Sequence, residues 1–439
     1  MSEAGESKPM AIGHAALLTF AAQIAQLAAG TINGILVARL LGPAGKGVVA
    51  LVMLSGSLAV TFGGLGVGMY YGCVAGRGQF SRAALRSNAI LCAALGTFLM
   101  TGLGLSLWCA GVLPVTGAEL AWVLAPVPFG LVMRNFAGIF QGEGRFGQYN
   151  AVLTAMWLVI PLATLSLGLT MGGVSAALAA WCLGHVVAAL LASWLLRGAG
   201  VASMDLRLLR SALAFGVAVW SVQLVGETNL RFDNYVAALV GGAEGAGYYS
   251  VAVSITNLLF HLPAAIGTGA LPHLAMASGE EAARLTGMGC RISLWTSAGF
   301  ALIAALLARP MIRLLFGAEF EPAVVPLLWL LPGVVAYALA HVTTSYFYGQ
   351  AGRPMLNGLV ALISLVLGLA ACAVLAPRFG LAGVAAGVSS GRIIAIAVNL
   401  WLFTRLSRCS LAEVLLPRAS DLALVLAPLR RLWLEEKSA

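Results

Sequence analysis

Polar and charged residues lie inside an otherwise apolar stretch, VQLVGETNLRFDNYVAALV, which covers residues 222–240. Four of them recur at helical spacing and would share one face of a helix: Gln223, Glu227, Arg231 and Asn234. Asn229 and Asp233 form a second, smaller polar pair on another side. Two interpretations are open: the residues line a wet cavity, or Glu227 and Arg231 simply neutralise each other as an i,i+4 pair. The pair alone does not account for the glutamine and asparagine that continue the same face.

The composition indicates the solvent that surrounds this helix. Hydrophobic residues make up 60% of the 439-residue chain and charged residues only 9%, whereas a soluble domain carries about 25% charged residues. The chain is therefore predicted to be a polytopic membrane protein. A charge at the bilayer centre costs at least about 2.5–3.5 kcal/mol, so the charged residues should face a bundle interior or water. The net charge of +9 is attributed to orientation and anionic lipid headgroups, and no nucleic-acid partner is expected.

Apolar runs long enough to cross a bilayer predict an all-α fold with twelve transmembrane helices. The predicted spans are 12–38, 47–72, 86–112, 120–140, 149–170, 173–197, 209–239, 246–275, 287–308, 322–348, 355–376 and 380–404. Residues 1–10 precede the first span. Residues 405–439 form a tail that is mildly amphipathic from Leu424 to Trp433, which is typical of an interfacial helix.

Basic residues predict the orientation. With the N-terminus in the cytoplasm, the lysines and arginines that fall on the opposite side are Arg39, Lys46, Arg309, Arg313 and Arg378. The other basic residues near helix ends are cytoplasmic, which is a clear positive-inside bias. Both termini are therefore expected in the cytoplasm.

The chain repeats itself at nearly one offset. A shift of 200 residues aligns ARLLGPAGKGVVAL (38–51) with ALVGGAEGAGYYSV (238–251), and places Gln23 on Gln223 and Asn33 on Asp233. A shift of 207 aligns FQGEGRFGQYN (140–150) with FYGQAGRPMLN (347–357), Arg134 with His341 and His185 with Arg392. The repeat predicts two six-helix lobes, 11–200 and 201–404, related by a pseudo-two-fold axis along the membrane normal, with the substrate route between them.

The signs of the buried charges favour an anionic substrate. Glu227 and Asp233 are the only carboxylates inside a predicted span, whereas cationic or protonatable groups occur in both lobes. Arginine binds phosphate or pyrophosphate through charge-assisted hydrogen bonds. Whether His185 and Arg392 meet a substrate or only a neighbouring helix stays open.

The sequence gives little support for metal binding, cofactor binding or catalysis. The seven cysteines are scattered, without CxxC pairs or histidines at metal-ligand spacing, so no metal or cofactor is expected. No predicted loop is long enough to carry the catalytic residues of a glycan polymerase or ligase, and no nucleophile elbow or phosphate loop occurs. The chain is interpreted as a transporter, not an enzyme.

The motifs resemble a known family. Twelve spans, LVARLLGPAGKGVVAL after the first helix, FQGEGRFGQYN after the fourth, and RFDNYVAALVGGAEGAGYYS in the seventh and eighth look like the polysaccharide (oligosaccharide) flippases. These belong to the multidrug/oligosaccharidyl-lipid/polysaccharide (MOP) exporter superfamily. The resemblance implies a bacterial inner-membrane protein that moves an undecaprenyl-pyrophosphate-linked sugar repeat unit to the periplasmic leaflet, for O-antigen, capsule or exopolysaccharide assembly.

The resemblance also suggests roles for residues. The family's basic and acidic residues in the seventh helix match Arg231 and Asp233. On this hypothesis the pyrophosphate is bound by Arg231, Arg134, His341 and Arg392. Sugar hydroxyls would meet Gln23, Asn33, Gln223 and Asn234. Glu227 and Asp233 would couple transport to a proton, a cation or the membrane potential. Expected partners are the lipid-linked oligosaccharide, membrane lipids and, further, glycan polymerase and chain-length proteins.

Three alternatives remain. An exporter of cationic drugs or other amphiphiles would use the same fold, but drug-exporting members with a proton-coupled first lobe carry an aspartate where Asn33 is the nearest polar residue. A membrane glycan polymerase or ligase would need a larger periplasmic loop. A pure scaffold for a glycan assembly complex would not need the charged stripe.

Overall fold

The computed structural model describes residues 12–111, 115–200, 202–276, 279–353 and 355–418, with side chains described outside 12–17 and 260–276. Within these ranges the chain is helical and contains no strand. The helices are α1 (Ile12–Gly63), α2 (Val67–Ala75), α3 (Arg82–Cys109), α4 (Gly117–Leu124), α5 (Val127–Gly142), α6 (Phe146–Thr170), α7 (Gly173–Leu195), α8 (Leu206–Met276), α9 (Gly279–Leu315), α10 (Val324–Gly349), α11 (Met355–Ser407) and α12 (Leu411–Leu415). The predicted all-α membrane fold is confirmed.

Three of the helices are long enough to cross a membrane twice. In the described part of the chain, nine helical segments have the length and apolar composition of membrane spans. Among them α1, α8 and α11 each contain one non-helical glycine: Gly42 (φ 64°), Gly242 (φ 62°) and Gly380 (φ 58°). Glycine adopts this left-handed conformation without the steric cost of a Cβ, so each position marks a turn between two crossings. Counting these three helices as two crossings each is consistent with the predicted twelve.

The same backbone conformation recurs at repeat-related positions. Gly42 and Gly242, which the shift of 200 aligns, both have positive φ, and so do Gly173 and Gly380, which are 207 residues apart. Turn glycines therefore follow the internal repeat that the sequence indicates.

The second predicted span, 47–72, is interrupted. Helix α1 ends at Gly63 and α2 begins at Val67, and between them Leu65 (φ 45°) and Gly66 (φ 66°) are left-handed. The segment FGGLGVG is rich in glycine, which is a poor helix former, so an apolar run of spanning length contains a local break. Hydropathy registers only the length of the run and cannot detect this break.

The break is a docking point for the first part of α8. A Cβ added to Gly216 would overlap the carbonyl oxygen of Leu65, and one added to Gly66 would overlap the carbonyl oxygen of Gly216. The two backbones are thus in direct contact, as small residues permit between membrane helices. Trp220 Nε1 donates a hydrogen bond to the carbonyl of Phe62 at 2.9 Å, satisfying an acceptor at the broken helix end.

The chain divides into two units, Met1–Glu227 and Thr228–Ala439, so the first part of α8 belongs with the first unit. Large buried side chains in the core of the first unit include Tyr71, Phe136, Ile139, Phe140 and Trp181. The corresponding core of the second unit includes Cys290, Val342, Tyr346, Phe347 and Phe403. The predicted lobe limits, 11–200 and 201–404, stay a prediction.

The start of the C-terminal tail is anchored on α9. Val414 of α12 is fully buried, Arg291 donates to the carbonyl of Glu413, and Trp295 Nε1 donates to the carbonyl of Leu415 at 3.0 Å. Ser410 and Glu413 form a capping box. Hydrogen bonds from the backbone N–H of Ser410, and then its side chain, lower the pKa of the exposed Glu413 carboxyl. The predicted N-terminal segment 1–10 and the amphipathic stretch Leu424–Trp433 lie outside the described residues.

Candidate functional site

The most complete polar cluster lies in the second unit around Asp233, whose side chain is almost fully buried at 1% exposure. Its Oδ1 accepts hydrogen bonds from the backbone N–H and the Nδ2 of Asn234, both at 3.0 Å. Its Oδ2 accepts from the hydroxyl of Tyr249 at 3.1 Å. Both carboxylate oxygens are therefore occupied by protein donors.

Arg392 of α11 provides the opposite charge. Its Nη2 lies 3.9 Å from Oδ2 of Asp233, and its side chain is 5% exposed. The guanidinium carbon is 5.9 Å from the centre of the Tyr337 ring, within the range of a cation–π interaction. A buried charge requires such compensation. From the sequence, Asp233 was predicted to be an ion-coupling residue and Arg392 a pyrophosphate ligand. In the structure the two residues form one ion pair.

Two tyrosines complete this cluster and were missed at the sequence level. Tyr249 is fully buried, and Tyr337 contacts both Arg392 and the ring of His341, whose centroid is 5.9 Å away. A signal for Tyr249 does exist in the sequence. Asp233 and Tyr249 stand nine and seven residues on either side of the turn at Gly242, as expected for residues that face each other in an antiparallel helix pair.

The polar stripe on α8 behaves differently along its length. In the first unit, Gln223 has a buried Oε1 that, among the described residues, has no hydrogen-bond partner. Glu227 is half-buried, and its side chain is held by a hydrogen bond or an electrostatic interaction. In the second unit, Arg231 is likewise half-buried and held by a hydrogen bond or an electrostatic interaction. The side chain of Asn234 donates a hydrogen bond to Asp233. The predicted contacts of Gln223 and Asn234 with sugar hydroxyls stay a prediction.

Arg134 is held in the first unit beside the broken second span. Its Nη1 donates to the hydroxyl of Thr61 at 2.8 Å, and its side chain is half-buried. Its predicted role as a pyrophosphate ligand stays a prediction.

His185, the repeat partner of Arg392, has a packing role in the first unit. It is buried, its Nδ1 lies 3.0 Å from the carbonyl of Trp181, and its ring packs edge-on against the Trp181 indole. The two repeat-related positions thus carry different structural roles.

Side-chain hydrogen bonds join α1 to α6 inside the first unit. Asn33 is buried, and its Oδ1 accepts from the hydroxyl of Thr164 at 2.8 Å. Further along the same pair of helices, Gln26 donates to Thr154 at 3.2 Å. Gln23, in contrast, is exposed. Of the two residues predicted to meet sugars on α1, Asn33 is therefore engaged between helices and Gln23 is accessible.

Replacing Thr164 with valine should lower the free energy of unfolding by about 0.6–2 kcal/mol, because the buried Oδ1 of Asn33 loses its donor in a membrane interior. Denaturant titration of the purified protein measures this change. Thr170→Val is the control, since that exposed threonine only bonds carbonyls of its own helix, at 3.0 and 3.3 Å. Equal loss in both variants would contradict the interhelical role of the Asn33–Thr164 bond.

The described residues were compared with the requirements of a metal site. Among the described residues, no group of three or more His, Cys, Asp or Glu side chains is placed to hold a metal ion. The seven cysteines are free.

Comparison with solved structures shows which known fold the chain adopts. The chain has the fold of a MATE family multidrug resistance transporter of the MOP superfamily in an inward-facing conformation (TM-score 0.71, 19% identity, 90% of this chain and 99% of that chain covered). It is also similar to the lipid II flippase MurJ in an inward closed conformation (TM-score 0.73, 14% identity, 89% and 90% covered). A third match is a MOP superfamily transporter from Pyrococcus furiosus with a binding pocket of reversed polarity (TM-score 0.64, 19% identity, 90% and 94% covered). The chain is a multi-pass membrane protein with the MOP transporter fold.

The family follows from the sequence itself. The profile of the polysaccharide biosynthesis protein family matches residues 36–325, which is more than half of the chain. The chain therefore belongs to the polysaccharide biosynthesis protein family. No curated protein matches it.

Proposed function

We propose that this protein flips an undecaprenyl-pyrophosphate-linked oligosaccharide repeat unit from the cytoplasmic to the periplasmic leaflet of a bacterial inner membrane. The product would enter O-antigen, capsule or exopolysaccharide synthesis. The observation that carries the proposal is membership in a polysaccharide biosynthesis family combined with a fold that a lipid II flippase also adopts. Both termini would lie in the cytoplasm, and glycan polymerase and chain-length proteins would be downstream partners.

Substrate binding would rest on the cationic residues. Arg231 and Arg134 would attract the pyrophosphate through charge-assisted hydrogen bonds, with His341 and Arg392 assisting. Gln23, Gln223, Asn33 and Asn234 would meet sugar hydroxyls. Among these, the exposed Gln23 and the unsatisfied Gln223 are best placed for new hydrogen bonds, because Asn33 and Asn234 already have protein partners.

The ion pair supports a mechanism of coupling. While Asp233 is ionised, Arg392 is neutralised by it and has little to offer an anion. Protonating Asp233, or placing a cation beside it, would release Arg392 to the pyrophosphate, so substrate and carboxylate would compete for one guanidinium. Glu227 would be a second group that changes charge between states. Such a difference between states is required, since a ligand that binds two conformations equally shifts neither.

The test is the leaflet in which the lipid-linked glycan resides. Cells lacking the protein would be complemented with the native form, with Arg231→Ala, or with Arg309→Ala as control, since Arg309 is an exposed arginine paired with Glu321. An impermeant glycan-modifying reagent applied to spheroplasts should modify the glycan in the native and Arg309→Ala strains only. Modification in every strain, including the one without the protein, would show that another protein flips this lipid.

A second candidate function is export of cationic drugs or other amphiphiles, favoured by the similarity to a MATE family fold. It predicts that drug resistance, and not glycan orientation, changes when the protein is removed. Measuring minimal inhibitory concentrations of amphiphilic cations in the same strains separates the two functions.

A further inference from the structure

Lys46 is a buried lysine that the proposed cycle does not use. It lies on α1 four residues after the turn at Gly42, on the side predicted to be extracytoplasmic, and is only 8% exposed. A lysine so close to a helix end normally extends its ammonium toward water while its methylenes cover apolar surface.

Its side chain extends in the opposite direction. The Nζ of Lys46 lies 3.7 Å from the Cβ position of Gly34, on the preceding crossing of the same hairpin. Gly34 precedes Gly42 by eight residues, and at about 1.5 Å per residue this places it about 12 Å below the turn. The ammonium is therefore directed into the membrane-spanning part of the first unit.

The Lys46 ammonium has no partner in the described part of the chain. Among the residues that the structure describes, none forms a hydrogen bond or an ion pair with Lys46. Predicted spans of the first lobe contain no carboxylate that could serve. A buried charge without a counter-ion is strongly unfavourable, so a lysine kept in this position requires an anion from elsewhere or a structural purpose that an apolar residue could not fulfil.

There is also space beside it. Around the Cβ position of Gly34, Lys46 Nζ is the one atom of the described residues within 4 Å, apart from the backbone of the same helix and the neighbouring residues. One helical turn earlier, the Cβ position of Gly30 is instead packed against the Trp157 indole at 3.2 Å. The surface of α1 is thus filled at Gly30 and open at Gly34, where the ammonium ends.

We propose that Lys46, with the open surface at Gly34, forms an anion site for a pyrophosphate group in the first unit. Lysine acts as a point charge with three donors, which suits a phosphate oxygen. The inference rests on the proposed function and deepens it. The site lies on the side predicted to be extracytoplasmic and would hold the pyrophosphate of the lipid carrier before release, whereas the Arg392–Asp233 pair belongs to the second unit.

Binding is measured first, independently of transport. The purified native protein in detergent is titrated with inorganic pyrophosphate and, separately, with a short-chain prenyl pyrophosphate, while the melting temperature is followed. Lys46→Met, which keeps length and removes charge, should raise the apparent Kd of both ligands about tenfold or more. Lys46→Arg should keep most of the affinity, and Arg309→Met serves as the control for loss of a positive charge on the same predicted side.

A structural role and an anion site predict different results. If Lys46 only fills space, Lys46→Met binds pyrophosphate as the native protein does, and the proposal is overturned. If Lys46→Met loses pyrophosphate binding but melts at the same or a higher temperature, the anion site stands. Stronger protection by the prenyl compound than by inorganic pyrophosphate identifies a lipid-linked source, whereas equal protection identifies the free anion.

A second measurement needs no variant. The chain has three lysines, Lys8, Lys46 and Lys437, so amine acylation followed by mass spectrometry reports each one. Pyrophosphate should slow acylation of Lys46 several-fold relative to the other two, and an unchanged ratio would overturn the proposal. These results do not depend on transport: a protein that binds pyrophosphate at Lys46 yet leaves glycan orientation unchanged in cells would refute the flippase function and keep the site.

Discussion

Replacing Asp233 with asparagine should lower the free energy of unfolding by about 3–5 kcal/mol, because Arg392 then stays buried without its carboxylate. Arg392→Met should have a cost of similar size, since it leaves the Asp233 carboxylate buried with hydrogen bonds but no counter-charge. The double variant Asp233→Asn/Arg392→Met removes both charges together and should recover most of the loss. Denaturant titration of the four proteins gives the coupling energy.

The double variant also separates stability from transport. It should fold, but it should fail to orient lipid-linked glycan if the competition between Asp233 and the substrate for Arg392 drives the cycle. A double variant that is as unstable as the worse single variant would contradict the coupling of the pair. A stable double variant that still transports would exclude the pair from the mechanism.

Gly216→Ala should destabilise the first unit by about 1–3 kcal/mol, because the new methyl group would overlap the Leu65 carbonyl, a backbone atom of the break between α1 and α2 that can move only with its chain segment. Gly226→Ala is the matched control on the same helix, where no neighbouring atom of the described residues lies within 4 Å of the added Cβ. That change should stabilise by about 0.5–1 kcal/mol through the helix propensity of alanine. Thermal unfolding measures both.

The docking of α8 on the break can also be tested at the hydrogen bond of Trp220. Trp220→Phe removes the hydrogen bond to the Phe62 carbonyl and should add a further loss of about 0.5–1.5 kcal/mol. Equal stability of the Gly216→Ala and Gly226→Ala proteins would show that α8 does not dock on the break in the way described.

Features that depend on composition and local turns could be predicted from the sequence. The apolar runs predicted an all-α membrane fold, and the aligned glycines at 42 and 242 do have the same left-handed conformation. Both signals are local: hydropathy reports the length of a run, and a helical turn between two crossings needs glycine or a comparable residue at one position.

Features that depend on contacts between distant parts of the chain could not be predicted from the sequence. The break at Gly64–Gly66 lies inside an apolar run and is compensated by Trp220, which is more than 150 residues away in the chain. Arg392 and Asp233 were identified individually, but their pairing joins α8 to α11. Lys46 was counted as an extracytoplasmic base, since charge counting reports the side of the membrane and not the direction of a side chain.

The most direct test of the proposed function uses the purified protein alone. It would be reconstituted into liposomes containing a fluorescent, pyrophosphate-linked short glycan lipid, with an impermeant reagent that irreversibly destroys the fluorophore added outside. We predict that vesicles with the native protein lose nearly all fluorescence, whereas vesicles with Arg231→Ala or without protein lose only the outer-leaflet half. Equal loss of half in all three, under an imposed proton, sodium or electrical gradient, would contradict the assignment of this protein as a lipid-linked oligosaccharide flippase.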